Sequence, residues 1–365
     1  MSIALKELLR QPRRFSAVTG AMTLLIVLLV VLGGFLDGLE LSQTGAYRAH
    51  EGNVLVFDDA SERQLQRSRV AASLVDELEA SPEVDAVGGL DATFTVAGPA
   101  GAASGDELED IALFGYDLST DVLPEPPVAG EAIVDEQLRR VADVEVGDTI
   151  EIGPSAEPVT ISAIVDDLTN GAPTVWVGVD EWRRLVALGN PSAVPPDGTA
   201  QILVVRPTGT TADAIAAIDG VGEGLEPITV DEAIEALDVV QQQSSTFQGI
   251  ISVTFIVVLL VVALFFALIT LERVGLYAVF KALGARTGEL LLGLSAQAVV
   301  ISLVAIAVGF ALSALFVSFL PPELPLRIEP GRLTQIALGT VVTALLGSLF
   351  TARRILRIDP AEAIG

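Results

Sequence analysis

The chain has no cysteine, one histidine (His50) and two lysines among its 365 residues. Without thiols there is no disulfide framework and no cysteine nucleophile, so any domain outside a membrane must be held together by its own core. A single histidine excludes histidine-rich metal sites and any Ser-His-Asp arrangement not built on His50. No Gly-x-x-x-x-Gly-Lys-Ser/Thr run occurs, so the cradle and lysine that bind nucleotide phosphates are missing. An energy source has to come from a partner.

Long apolar runs are what the chain has instead. Its mean hydropathy of +0.59 is above that of an ordinary globular protein. Four charge-free stretches, Phe15 to Leu36, Val239 to Leu271, Leu290 to Pro322 and Leu333 to Ala352, each reach the ~20 apolar residues that span a hydrocarbon core. Gln241 to Gln243, with Ser244 and Ser245, move the second entry to near Ile250. Lys6, Arg10, Arg13 and Arg14 precede the first stretch as in a signal peptide. Its apolar length and the lack of a small-x-small site after it favour an uncleaved anchor.

Basic residues also flank the stretches at Arg273, Lys281 and Arg286, and at Arg353, Arg354 and Arg357. By the positive-inside rule, both termini and the 271–286 segment are expected to be cytoplasmic. The expected layout is a membrane α-helical protein with four transmembrane helices in a 1+3 arrangement. Residues 1–36 hold the first helix and 250–365 the other three. Residues 37–249, between helices 1 and 2, form a mixed α+β extracytoplasmic domain with stalk helices.

From Asp37 to Gly249 there are 40 acidic and 9 basic side chains. Such a surface repels phosphate, which argues against nucleic acid as a partner, and keeps a domain soluble. A salt-adapted composition explains this acidity more simply than a cation site. Helical spacing at Leu36, Leu39 and Ala46 predicts that the first helix runs outward as a stalk, with a strand at Asn53 to Phe57. A second stalk is expected from near Asp231 through Ile234, Leu237 and Val240. Between them, extended runs at Val84–Ala97, Ile111–Tyr116, Ala132–Asp135, Val159–Val165, Thr174–Val179 and Ile202–Arg206 alternate with helical ones. Val70–Ala80 reads as one of these helices. Pro124–Gly130 is expected to mark a subdomain boundary.

Candidate sites are few. Gly220, Gly222 and Gly224 lack the rest of a phosphate-binding fingerprint, and Asp166, Asp167 and Asn170 read as a turn more readily than as a calcium loop. His50 is most simply a surface histidine. A sharper reading groups Glu40, Tyr47 and His50 near the outer membrane boundary as oxygen and nitrogen ligands for an iron porphyrin substrate. Gly33 and Gly34, Gly309 with Ser313, and Gly339 with Thr343 are small residues that let membrane helices approach closely, within a bundle or across a dimer.

The most informative segment is Leu271-Glu-Arg-Val-Gly-Leu-Tyr-Ala-Val-Phe-Lys-Ala-Leu-Gly-Ala-Arg286. Leu276, Val279, Phe280 and Leu283 form one apolar stripe among Arg273, Lys281 and Arg286, and Gly284 stops the turn. This predicts an amphipathic helix on the inner membrane face, either an anchor or a docking knob.

The same segment resembles the signature of the FtsX-like permease family, which includes MacB-type and lipoprotein-releasing transporters. The ending Ala352-Arg-Arg-Ile-Leu-Arg-Ile-Asp-Pro-Ala-Glu-Ala-Ile364 resembles that family's tail, and Gly130-Glu-Ala-Ile-Val-Asp-Glu-Gln-Leu138 its outer domain. Arg13-Arg-Phe, Gly33-Gly-Phe-Leu-Asp-Gly-Leu39 and Val54-Leu-Val-Phe57 look like its haem-efflux subgroup. The resemblance implies a non-catalytic homodimer in the plasma membrane, bound to cytoplasmic ABC ATPase subunits that hold the ATP and Mg, with no cofactor in this chain. It assigns coupling to Glu272, Arg273, Gly275, Leu276, Phe280, Lys281, Gly284 and Arg286. Efflux of a hydrophobic or amphiphilic compound such as haem is the expected function. The alternative is force transmission for lipoprotein release or cell-wall hydrolase control.

Overall fold

The computed structural model describes residues 12–101, 108–166, 168–222, 224–272, 279, 287–320 and 326–356. Among them, four helices are long and apolar enough to cross a membrane: α1 (Pro12–Arg48), two further spans that begin at Asp238 and Thr287, and a last one beginning at Pro330. The chain divides into two compact units, residues 1–39 with 243–365, and residues 40–242.

The second unit is α+β. After α1 come β1 (Val54–Asp58), β2 (Val70–Ala71), α2 (Leu74–Glu79), β3 (Val84–Pro99) and β4 (Glu109–Tyr116). Next are β5 (Glu131–Asp135), α3 (Glu136–Ala142), β6 (Thr149–Ile152), β7 (Glu157–Val165), β8 (Thr174–Gly178) and α4 (Val179–Gly189). The unit continues with β9 (Thr199–Ala200), β10 (Ile202–Pro207), α5 (Thr211–Asp219), β11 (Leu225–Thr229) and α6 (Val230–Ala236). The membrane spans α7 (Asp238–Glu272), α8 (Thr287–Val317) and α9 (Pro330–Leu356) complete the order.

Nine strands form one sheet in the order β11-β1-β10-β3-β4-β8-β5-β7-β6. The far end of β3 also pairs with β6, Ala97 opposite Ile152, so six strands close into a ring. Closure removes exposed sheet edges at that end. β4–β8 and β5–β7 pair in parallel and the other neighbours antiparallel. Each face of the sheet has its own core. Leu55 and Phe57 of β1 join Phe114, Tyr116 and Trp176, whereas Val54 and Val56 pack with Leu78 of α2 and Ile218 of α5. Burial on both faces explains why β1 reads Val-Leu-Val-Phe without alternation.

Three expectations are corrected here. Val70–Ala80 is not one helix, because Val70 and Ala71 pair with Ala200 and Thr199 and only Leu74–Glu79 is helical. The second stalk is not continuous, because Leu237 is extended with ψ 122° between α6 and α7. Its side chain turns into the core beside Ile234, and Asp238 opens the next helix with a favourable acidic side chain. Pro124–Gly130 does not divide the domain, because the strands before and after it belong to the same sheet.

In the first unit, Phe15, Met22, Ile26 and Leu29 of α1 meet Val258, Val262 and Phe266 of α7, Ala298 and Ile301 of α8, and Ile336 and Ala344 of α9. The small residues do set close approaches. A Cβ on Gly309 would stand 2.7 Å from Ile26 Cγ2, and one on Gly339 2.7 Å from the Phe255 ring. Gly33 instead admits the Arg332 side chain, whose Nε and Nη2 donate to the Asp37 carboxylate at 3.1 and 2.5 Å. The pair is largely buried, so each charge compensates the other.

Gly45 is the tightest of these positions. A Cβ there would lie 2.3 Å from the backbone carbon of Leu168, which no side-chain rotation can relieve. Gly45→Ala is expected to lower stability by about 3 kcal/mol or more through overpacking. Gly249→Ala, in a helix with nothing within 4 Å, is expected to raise it by about 0.5–1 kcal/mol. Thermal unfolding of the two variants in detergent checks the contrast.

Candidate functional site

A cleft of about 350 Å³ opens in the second unit. Gln43 and Tyr47 on the last turns of α1 form one side, and Ala236 to Val239, at the break between α6 and α7, another. Its floor is the pleated surface of β3 and β4, with Thr93, Phe94 and Phe114. The segment after β1 closes it with Arg63, Gln64, Leu65 and Arg67.

That segment is locally strained. Glu62 and Arg63 both have left-handed backbones, with φ 54° and 60°, at a cost of about 1 kcal/mol each for residues with a Cβ. Arg63 Nε donates to Glu226 Oε1 at 2.7 Å, and Arg67 Nη1 to Glu62 Oε2 at 2.7 Å. Both pairs are part-exposed, where an ion pair contributes at most about 1 kcal/mol. Phe94 is 58% exposed. Asn170 also lines the cleft, and its Oδ1 is buried without a hydrogen-bond partner.

The grouping of Glu40, Tyr47 and His50 is not reproduced around this cleft. Tyr47 lines it, Glu40 and His50 do not. Nor is His50 a surface residue, because it is 0% exposed and neither ring nitrogen has a hydrogen-bond partner. Its ring meets the edge of Trp176 at 6.3 Å, and Trp176 in turn stacks on Phe114 at 4.5 Å, so His50 lies two rings behind the cleft wall. Helix α1 ends in tight turns, His50 N donating to Tyr47 O and Asn53 N to His50 O, and these turn the imidazole inward. Nothing in local sequence distinguishes such a histidine from a surface one.

Asn170 lies in a bend, its N–H donating to Ala172 O, while Asp167 lies outside the described residues. Gly220 caps α5, and Gly224, with φ 90°, accepts from Asp59 N–H, so both serve turns. Among the described residues no three His, Asp or Glu side chains converge as a metal site. Of the coupling residues, Glu272 ends α7. Arg273, Gly275, Leu276, Phe280, Lys281, Gly284 and Arg286 lie outside the described residues. The cleft itself had no signal in the sequence, because its walls are contributed by six separated segments.

Residues 249–360 match the FtsX-like permease C-terminal family. An uncharacterized ABC transporter permease of Mycobacterium tuberculosis (strain ATCC 25618 / H37Rv) is 32% identical over 246 residues, 66% of this chain and 63% of that protein. A second permease of that strain, similarly described, is 28% identical over 60% of this chain and 58% of its own length. A putative hemin transport system permease protein HrtB of Staphylococcus haemolyticus (strain JCSC1435) is 25% identical over 30% of this chain and 32% of its own. The chain thus spans less than two thirds of the length of these relatives. The periplasmic region of MacB from Actinobacillus actinomycetemcomitans superposes on 50% of this chain and 91% of its own, with a TM-score of 0.37 and 10% identity.

Burial holds the His50 pKa down to about 4 from its ordinary 6.5. Between those values the unfolded chain binds a proton that the folded one refuses, so this contribution to stability is complete above pH 6.5 and declines as pH falls toward 4. Buried Asp91, Asp117 and Asp135 are shifted up and act in the opposite sense. Comparison with His50→Phe isolates the histidine. Going from pH 7.5 to pH 5, the wild type is expected to lose about 2 kcal/mol more than the variant, read from intrinsic fluorescence of Trp176 and Trp182 during denaturant unfolding.

Proposed function

We propose, from a C-terminal segment that belongs with the FtsX-like permeases, that this chain is the membrane subunit of an ABC transporter. The observation that carries the reading is the match over residues 249–360, which coincides with three of four membrane-length helices. A relative similar over 66% of the chain is described as an ABC transporter permease. ATP and Mg on this reading bind a cytoplasmic ATPase, the 365 residues given carrying no phosphate-binding run of their own. The chain lies in the plasma membrane with both termini and residues 271–286 on the ATPase side, and residues 40–242 on the other. It works as a homodimer.

Its substrate on this reading is a hydrophobic or amphiphilic compound. Similarity to putative hemin permeases puts haem among the candidates. The closed packing around His50 counts against that side chain as an iron ligand. Motion is coupled through 271–286. Helices α1 and α7 each run in one piece from the membrane-length stretch into residues 40–242, which supports a mechanical route to the inserted domain.

Co-purification of the chain with its ATPase in nanodiscs, followed by ATP hydrolysis with and without hemin, tests the assignment. A variant combining Gly275→Pro with Lys281→Glu and Arg286→Glu is expected to weaken substrate-stimulated hydrolysis about tenfold or more. Proline opposes the helix that the sequence pattern of 271–286 predicts, and the reversed charges oppose docking. Wild-type coupling in that variant contradicts the role given to 271–286, and a chain that recovers no ATPase contradicts the transporter reading.

A further inference from the structure

We propose that the cleft of the inserted domain binds an anionic amphiphile, with its acid group at Arg63 and Arg67 and its apolar chain over Phe94, Phe114 and Leu65.

Charge is the first reason. Residues 37–249 hold 40 carboxylates and 9 arginines, yet the cleft is lined by two of those arginines and by a single carboxylate, Asp238. Two guanidinium groups at one cleft of a strongly acidic domain take an anion by exchanging their carboxylate partners for it, while the surrounding field repels anions that lack an apolar part to hold them. Both arginines rest on part-exposed carboxylates, Glu226 and Glu62. A ligand carboxylate or phosphate replaces such a partner with little loss, because exposed pairs are weak and bidentate contacts to an acid group are strong. The left-handed backbone at Glu62 and Arg63 is the kind of strain that persists at ligand clamps.

The second reason is independent of charge. Asn170 Oδ1 is buried at the cleft without a hydrogen-bond partner, an arrangement that folded proteins avoid unless something completes it. An N–H or O–H donor carried by a ligand seated in the cleft does so. The third is shape and polarity. The volume of about 350 Å³ falls in the range of roughly 300–1,000 Å³ typical of small-ligand sites, and the largely exposed Phe94 ring supplies apolar surface that an acyl or other hydrocarbon chain covers. Tyr47 on α1 and Val239 on α7 touch the same cleft, so occupancy is felt by both helices that continue into membrane spans.

This inference deepens the transporter reading by naming a substrate class. Binding to the chain alone is measured without the ATPase, so its failure leaves ATPase association untouched. The full chain in phosphatidylcholine nanodiscs is titrated with dansylaminoundecanoic acid and, in parallel, with its neutral methyl ester. The acid is expected to saturate at a low stoichiometry and to bind about tenfold more tightly than the ester, a preference that added salt reduces. Arg63→Gln with Arg67→Gln is expected to abolish that preference, and Glu226→Gln, which releases Arg63, to strengthen acid binding. Inorganic phosphate at the same concentration is expected to displace little acid, since it lacks the apolar chain. Equal binding of acid and ester, a preference that survives loss of both arginines, or acid binding unchanged or weakened by Glu226→Gln overturns the proposal.

Discussion

The rest of the structure depends on the contact between Gly45 and the loop Leu168–Gly171. Helix α1 leaves a membrane-length stretch and is fastened to the sheet by two backbone hydrogen bonds, Gly45 N–H to Thr169 O at 2.9 Å and Gly171 N–H to Ser42 O at 2.8 Å. Only a residue without a Cβ allows that approach. The loop is held from the other side by Asp135, wholly buried, whose Oδ2 accepts from Thr169 Oγ1 and from Thr174 N–H while its Oδ1 caps α3 through Leu138 N–H. One carboxylate thus joins the loop on which α1 rests, the start of β8 and the first turn of α3.

Several properties follow from where that contact fixes the helix. It places Tyr47 at the cleft and sets His50 against Trp176, behind the Phe114 wall. The opposite wall comes from the α6–α7 break, where Leu237 enters the core and Asp238 restarts the helix. A break there lets the cleft form beside a helix that would otherwise run straight past it.

Much of the architecture was legible in the sequence. The four membrane-length helices follow from apolar length, and β3, β4, β7 and β10 from runs of β-branched and aromatic residues. The Gly309 and Gly339 contacts follow from small residues within apolar helices. What was not legible depends on partners distant in sequence. Val70 and Ala71 look helical until Thr199 and Ala200 pair with them. No glycine or proline announces the turn at Leu237. Pro124–Gly130 has boundary composition, yet β5 returns to pair with β8 in the same sheet. Of Glu40, Tyr47 and His50, Tyr47 alone lines the cleft. Arg63, Phe94 and Asn170 carried no local signal, because only the fold brings them to one cleft.

The central proposal is that ATP hydrolysis in a partner subunit acts on residues 40–242 through α1 and α7, the two helices that run into them. Backbone hydrogen exchange on the chain, assembled in nanodiscs with the ATPase that co-purifies with it and compared with and without ATP, tests this most directly. The account predicts that ATP changes protection at the Gly45 and Gly171 amides, together with the adjoining turns of α1. Protection unchanged by ATP throughout residues 40–242, in a complex that hydrolyses it, would contradict the account.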